Sequence, residues 1–142
     1  MDWAKKEVAS LELSKRLKEL GFPQNREGWY WIKTTYPVKW ILAIMLDGIW
    51  LSVKNYIIIK DEVIEEIVKA PTNSELGKWL PEGFHEFKLD NRFWIKDKQD
   101  YNYLVNDDIE VNARAKMAIW LRENGYITFN QGDTNAQPRQ QA

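Results

Sequence analysis

The chain has 142 residues, a length typical of one domain, and carries 20 basic and 21 acidic residues for a net charge of −1. It contains no cysteine, which excludes disulfide bonds, thiolate metal sites and cysteine nucleophiles. Because a basic excess is missing, duplex DNA is not expected as a partner: phosphate neutralisation dominates the affinity of proteins that bind it.

The apolar segments predict neither a secretory signal nor a membrane span. Charged residues interrupt the first segment, residues 1–10. The longest apolar run, residues 40–46, is far shorter than the roughly 20 residues that cross a bilayer. We therefore expect a cytoplasmic protein with no membrane partner.

The first predicted helix lies near the N-terminus. Ser10 is a suitable N-cap, and Leu13, Leu17 and Leu20 recur at helical spacing along one face. Gly21 can adopt the left-handed conformation that ends a helix, and a proline follows two residues later.

The next part of the chain indicates a β-sheet, because aromatic and β-branched residues dominate it. Asp47-Gly48 favours a type I′ hairpin, since both central residues of that turn need positive φ. The almost continuous apolar run before this turn is typical of a central strand that is covered on both faces. The predicted strands here cover residues 29–33, 39–46, 49–53 and 55–59.

Residues 61–70 fit a helix and a strand equally well. Thr72 and Glu75 have the spacing of a capping box, which predicts a short helix through Leu80. Asp90-Asn91 indicates a turn between two further strands. The remaining predicted elements are strands at residues 87–89, 93–96 and 101–105 and a last helix at residues 112–124.

These elements predict a single α+β domain over residues 1–129. An antiparallel sheet of about five to seven strands would be packed by three helices, near the N-terminus, in mid-chain and near the C-terminus. Residues 130–142 are polar and show no periodic pattern, so we predict a disordered tail.

Three segments, residues 10–21, 70–81 and 112–127, resemble in order and spacing a family of small uncharacterised proteins encoded by tailed bacteriophages and prophages. The resemblance covers the framework from about residue 9 to residue 127. The matching positions are helix faces and caps, so they specify a fold and no site. The resemblance implies a phage accessory protein that acts on its host, without an established catalytic residue, cofactor or partner.

Residues suited to catalysis are sparse. His85 is the only histidine, and its neighbour Glu86 would point to the opposite face of a strand, so a histidine–carboxylate pair is not expected. The four serines lie outside any nucleophile motif, and the glycines are too scattered for a phosphate-binding loop. We therefore predict no catalytic residue and no cofactor.

Two charged clusters have structural explanations. Asp107, Asp108 and Glu110 lack the spacing of a calcium loop and lie where carboxylates favour the N-terminal end of a helix, so no metal site is predicted. Acidic residues are interspersed among the basic residues near the start of the chain, which indicates a solvated helix face. These basic residues are Lys5, Lys6, Lys15, Arg16 and Lys18.

The aromatic residues are the best functional candidates, since they form 13% of the chain. Trp29 and Trp31 would share one face of a strand, and Trp94 would lie on a strand beside Arg92 and Lys96. If helices cover both faces of the sheet, these rings are core. If helices cover only one face, the rings form a binding surface.

The leading functional hypothesis is a non-enzymatic phage accessory protein that binds a host protein, for instance to inhibit a defence system. The second is a sponge that sequesters a small nucleotide signal in an aromatic pocket with convergent basic groups. The third is a protein that binds single-stranded nucleic acid by base stacking, although the even charge balance argues against it.

Overall fold

The structure, a computed structural model, describes residues 2–80, 84–96 and 104–129. The predicted tail at residues 130–142 therefore lies outside the described residues. The predicted α+β class is confirmed, with the strands divided between two antiparallel sheets. The helices in the described ranges are α1 (Asp2–Lys5), α2 (Leu11–Glu19), α3 (Asn73–Gly77) and α4 (Glu110–Glu123), with a 3-10 turn at Asp61–Val63.

The larger sheet has five strands in the order β4-β3-β2-β1-β5, and the smaller has three in the order β6-β7-β8. The turn Asp61–Val63 carries the chain from β4, at one edge of the larger sheet, to β5 at the other. The strands are β1 (Gly28–Thr35), β2 (Val38–Leu46), β3 (Ile49–Ser52), β4 (Ile58–Ile59), β5 (Ile64–Lys69), β6 (His85–Leu89), β7 (Arg92–Lys96) and β8 (Leu104–Asp107).

The predicted helix caps are present. The Ser10 hydroxyl accepts a hydrogen bond from the Leu13 N–H at 3.3 Å. Thr72 and Glu75 form a reciprocal capping box at the start of α3, in which each side chain accepts the other residue's backbone N–H. Such caps each stabilise a helix by about 1 kcal/mol, because they satisfy backbone donors that have no partner inside the helix.

The two predicted turns are also present. Asp47 and Gly48 have φ values of 51° and 79°, and Asp90 and Asn91 have values of 55° and 62°. Positive φ at both central residues is the requirement of a type I′ turn. These turns join β2 to β3 and β6 to β7.

Several elements differ from the simplest expectation: α3 ends at Gly77 and not at Leu80, and α4 begins at Glu110, two residues before the predicted start. Residues 61–70 contain a 3-10 turn followed by β5, so the mixed pattern reflects two successive structures. The predicted strand at residues 55–59 is reduced to Ile58–Ile59, because Tyr56 has a φ of 57° and interrupts extended backbone. Of the strand predicted at 101–105, the part from Leu104 is observed, and residues 101–103 lie outside the described ranges.

The largest core joins the smaller sheet to the helices, since α4 packs against β7, β8, α2 and α3. Burying a large apolar side chain contributes roughly 1.5–3 kcal/mol, so this cluster is a principal source of stability. Its fully buried members include Leu17, Leu76, Ile95, Met117 and Leu121.

A second core lies on one face of the larger sheet. Tyr30, Ile32, Ala43 and Trp50 are at most 3% exposed. The partly buried residues packed against them come from the same sheet and from the Asp61–Val63 turn. The larger sheet therefore curls over this face, and the connection from β4 to β5 helps to close it.

Candidate functional site

The opposite face of the larger sheet carries Trp29, Trp31, Trp40 and Leu42, and we call it the Trp31 face. The strand register places Trp31 beside Leu42, and Lys33 beside Trp40, on the two neighbouring strands β1 and β2. The first turn of the chain, around α1, packs against one part of this face.

Trp29 and Trp31 hold the N-terminal segment in place. The Trp31 Nε1–H donates a hydrogen bond to the Ala9 carbonyl at 3.0 Å. The Trp29 ring meets Trp3 edge to face, with ring centroids 6.0 Å apart. Both rings are half-buried against Ala4 and other small core residues. Their first role is therefore structural, although Trp31 also lines the cavity described below.

Three of the residues singled out from the sequence, Arg92, Trp94 and Lys96, lie on β7 of the smaller sheet. Trp29 and Trp31 lie on β1 of the larger sheet. The three residues of β7 share the face of that strand that is opposite to the buried Ile95. The Trp94 ring is parallel to Phe87 on β6, with centroids 6.3 Å apart. The five residues singled out from the sequence therefore form two surfaces on two sheets.

The guanidinium of Arg92 is already engaged. Its Nε donates to Asn106 Oδ1 at 2.6 Å, and its Nη1 forms an ion pair with Asp108. Lys96 is exposed and completes the face. The parallel rings could stack on nucleobases, but much of the positive charge is neutralised by Asp108, so binding of single-stranded nucleic acid stays a hypothesis.

A cavity of about 600 Å³ opens beside the first half of β2. This volume falls within the roughly 300–1,000 Å³ that is typical of small-molecule sites. Most of its walls are apolar or aromatic. The lining residues are Ala4, Lys5, Trp31, Lys39, Trp40, Ile41, Leu42, Ser52, Lys54, Asn55, Ile57 and Ile59.

The cavity exists because β3 is shorter than β2. Going back along β2 from the turn, the pairing with β3 ends at Ala43, which lies opposite Ser52. Beyond that pair, one more hydrogen bond joins the Val53 N–H to the Leu42 carbonyl. The chain then turns away, so in the described structure the stretch from Val38 to Ile41 has a strand partner only in β1. The space where β3 would continue is the cavity.

Three lysines line this cavity, and none of them forms an ion pair with a carboxylate in the described ranges. Lys5 lies on α1, Lys39 on β2 and Lys54 just after β3, and all three are exposed. Among the residues that the structure describes, the cavity lining contains no Asp or Glu. Other lysines in the described structure do have acidic partners, for example Lys116 at 2.9 Å from Asp107.

The sequence did not reveal this site, because its residues come from four separate segments. Lys39 and Trp40 belong to a run that predicted a strand covered on both faces, and β2 is indeed central, but Lys39 is exposed and Trp40 only partly buried. One feature of the sequence did indicate part of the site, namely the strand register set by a predicted turn. The register that follows from the Asp47-Gly48 turn places Val53 beside Leu42, and thus Lys54 near the start of β2.

The remaining polar residues have structural partners. His85 is exposed on β6, as expected, and its ring lies 5.5 Å from Phe87. Asp107 and Asp108 form ion pairs with Lys116 and Arg92, and Glu110 accepts a hydrogen bond from the Asn73 side chain at 3.2 Å. No group of three or more His, Asp or Glu side chains suited to a metal ion occurs among the described residues.

A partly buried ion pair supports the smaller sheet. The Arg114 guanidinium on α4 donates to both carboxylate oxygens of Glu86 on β6, at 2.9 and 2.8 Å. This hydrogen bonding raises the pKa of Arg114, against the opposing effect of its burial. The pair is therefore a structural clamp between helix and sheet.

Comparison with known proteins adds no relative: no family model, curated protein or solved structure matches the chain. The resemblance to phage-encoded proteins accordingly stays a hypothesis. Within the described ranges, none of the helices is long and apolar enough to cross a membrane.

Proposed function

We propose that this protein acts by binding, without catalysis, and that its site is the lysine-lined cavity beside β2. The ligand class is a small organic anion with an apolar or aromatic part. The observation that carries this proposal is the presence of Lys5, Lys39 and Lys54 in the lining of one largely apolar cavity whose described lining has no carboxylate. This is the kind of pocket expected for the second hypothesis from the sequence, although different basic residues supply the charge.

The composition of the cavity supports binding rather than catalysis. General acid–base chemistry usually uses His, Asp or Glu within hydrogen-bond reach of the reacting group, and the described lining has none of these. Its hydroxyl group, that of Ser52, is buried and has no histidine beside it in the lining. The lysines and Asn55 can instead donate hydrogen bonds to anionic and carbonyl oxygens.

Calorimetric titration of the full chain with citrate, inorganic triphosphate and nucleotides tests this proposal. At least one anion is expected to bind, and Lys39→Gln and Lys54→Gln should each weaken it by about tenfold. This is the low end for charge-assisted hydrogen bonds, because both ammonium groups are exposed. Lys6→Gln is the matched control, since Lys6 is an exposed neighbour of Lys5 outside the cavity lining.

An absence of binding by every anion at millimolar concentration would contradict the proposal. So would equal losses of affinity in the Lys6, Lys39 and Lys54 variants, because that pattern indicates only general electrostatic attraction. Thermal unfolding of each variant shows whether the fold is retained.

A second candidate function is capture of a host protein, which the phage resemblance implies. Exposed apolar side chains favour it, because such patches often mark protein interfaces. Val38 is 66% exposed, and Ile57, which also lines the cavity, is 60% exposed.

Affinity capture from a host lysate tests this second candidate. A specific host protein should be retained by the wild type at moderate salt and lost with Ile57→Asp. Leu89→Asp, at an exposed apolar position on the other sheet, should retain it. Equal retention by the wild type and Ile57→Asp would reject this surface as the interface.

A further inference from the structure

Trp40 borders the cavity and also contacts a cation on α2. The Lys15 Nζ lies over the Trp40 ring, 4.6 Å from its centroid. Trp40 lines the cavity, whereas Lys15 does not. The same ring therefore contacts an ammonium group over one face and borders the space where a ligand would lie.

This arrangement prepares Trp40 for a planar ligand. A cation over one face of an indole attracts its π electrons, so the opposite face interacts best with an electron-rich ring. The contact with Lys15 also restrains the ring, which reduces the entropy lost when a ligand stacks on it. Nucleobases are planar, electron-rich rings that stack on aromatic side chains in this way.

The charges of the cavity complement a polyphosphate. Lys5, Lys39 and Lys54 supply three positive charges in the described lining and meet no carboxylate there. A nucleoside di- or triphosphate carries about three or four negative charges at neutral pH, which matches this number better than a monophosphate does. Asn55, in the same lining, has an amide that can bond to the edge of a base or to a sugar hydroxyl.

We propose that the cavity binds a nucleoside di- or triphosphate, with its base on the cavity side of Trp40 and its phosphates at Lys5, Lys39 and Lys54. This inference rests on the proposed function and names the ligand class for the same site. Lys15 acts as a positioning residue, since it contacts the Trp40 ring and lies outside the cavity lining.

Calorimetric titration of the full chain with ADP, pyrophosphate and adenosine, without divalent cations, tests this inference. ADP is expected to bind at least tenfold more tightly than pyrophosphate, because only ADP stacks on Trp40. Trp40→Leu should remove that difference and leave the affinity for pyrophosphate unchanged. Trp94→Leu, on the smaller sheet, is the control and should change neither affinity.

Lys15→Met distinguishes a positioning role of Lys15, through Trp40, from a general electrostatic role. Loss of the cation–π contact should weaken ADP by about threefold and leave pyrophosphate unchanged, because Lys15 lies outside the cavity lining. A merely electrostatic role for Lys15 would weaken both ligands alike.

The outcomes separate this inference from the proposed function. If pyrophosphate binds as tightly as ADP, the cavity is an anion site and the nucleotide inference is overturned. If another organic anion binds and neither phosphate compound does, the inference is also overturned while the proposed function stands. If no anion binds, both fail.

Discussion

Glu75→Gln is expected to lower the free energy of unfolding by about 3 kcal/mol, because it leaves the buried charge of Lys69 without its partner. The Lys69 side chain is 1% exposed, and its Nζ lies 3.0 Å from the Glu75 carboxylate. The same ammonium donates to the Glu27 carbonyl and lies 5.3 Å from the centroid of Tyr30. Neither of these neutral groups can replace the lost negative charge.

Chemical denaturation of the variant and of a double-mutant cycle measures this effect. Glu19→Gln is the control, since its ion pair with Arg16 is exposed and such pairs contribute at most about 1 kcal/mol. Adding Lys69→Met to Glu75→Gln should recover much of the lost stability, because the double variant buries no unpaired charge. A change below about 1 kcal/mol for Glu75→Gln would show that the pair is not a strong constraint.

Trp50→Ala is expected to cost about 3–5 kcal/mol, the range for truncating a buried aromatic side chain. Trp50 is 3% exposed and packs edge to face on Tyr30, with ring centroids 5.1 Å apart. It pairs across β3 and β4 with Ile59, another buried residue of the same core. Because the larger sheet supplies most of this core itself, few neighbouring side chains can move in to fill the cavity.

The control is Ile49→Thr, on the same strand, where the side chain is 46% exposed and a β-branched shape is kept. Its free energy of unfolding should change by less than about 1 kcal/mol. If Trp50→Ala were no more destabilising than Ile49→Thr, the core within the larger sheet would contribute little to stability. Denaturation can be followed both by far-UV circular dichroism and by tryptophan fluorescence. Coincident transitions from the two signals indicate that the two cores unfold together.

The two cores help to explain why the cavity remains open. The second core fills one face of the larger sheet with residues of that sheet and of the Asp61–Val63 turn, and the helices around α4 fill the largest core. Among the described residues, the Trp31 face is covered by the short N-terminal segment and by a few contacts from α2, such as the one between Lys15 and Trp40. The space beside the early part of β2 is left open as the cavity.

The larger sheet also has one edge whose backbone groups are satisfied by other segments and one stretch of strand that stays unpaired on one side. At β5, the Lys18 ammonium donates to the Ile67 carbonyl at 2.6 Å, and the Gln24 side chain accepts from the Lys69 N–H at 2.7 Å. These contacts satisfy backbone groups that an edge strand would expose. The early part of β2 has a strand partner on one side only in the described structure, which is consistent with a site for binding.

The aromatic residues resolve into different roles. Trp50 is core, Trp31 anchors the N-terminal segment and lines the cavity, and Trp94 lies on an outward face of the smaller sheet. The structure therefore has both buried and outward-facing rings, and the binding role that the sequence suggested for the rings of Trp29, Trp31 and Trp94 stays a prediction. Trp40, which lay within the apolar run and was not singled out from the sequence, lines the cavity together with Trp31.

The sequence by itself determined the features that depend on neighbouring residues. The cap at Ser10, the capping box of Thr72 and Glu75 and the Asp47-Gly48 turn could all be predicted, because hydrogen bonds within about four residues and the sign of φ decide them. These local preferences also defined the α+β class.

Only the tertiary structure decided how the strands divide between two sheets and which lysines line one cavity. Lys5, Lys39 and Lys54 share a cavity because β3 ends early and the segment around α1 packs against the Trp31 face. Where a strand ends and which segment covers a face depend on packing between residues distant in the chain, so no local pattern contains them. The framework was therefore readable from the sequence, while the candidate site was a product of the fold.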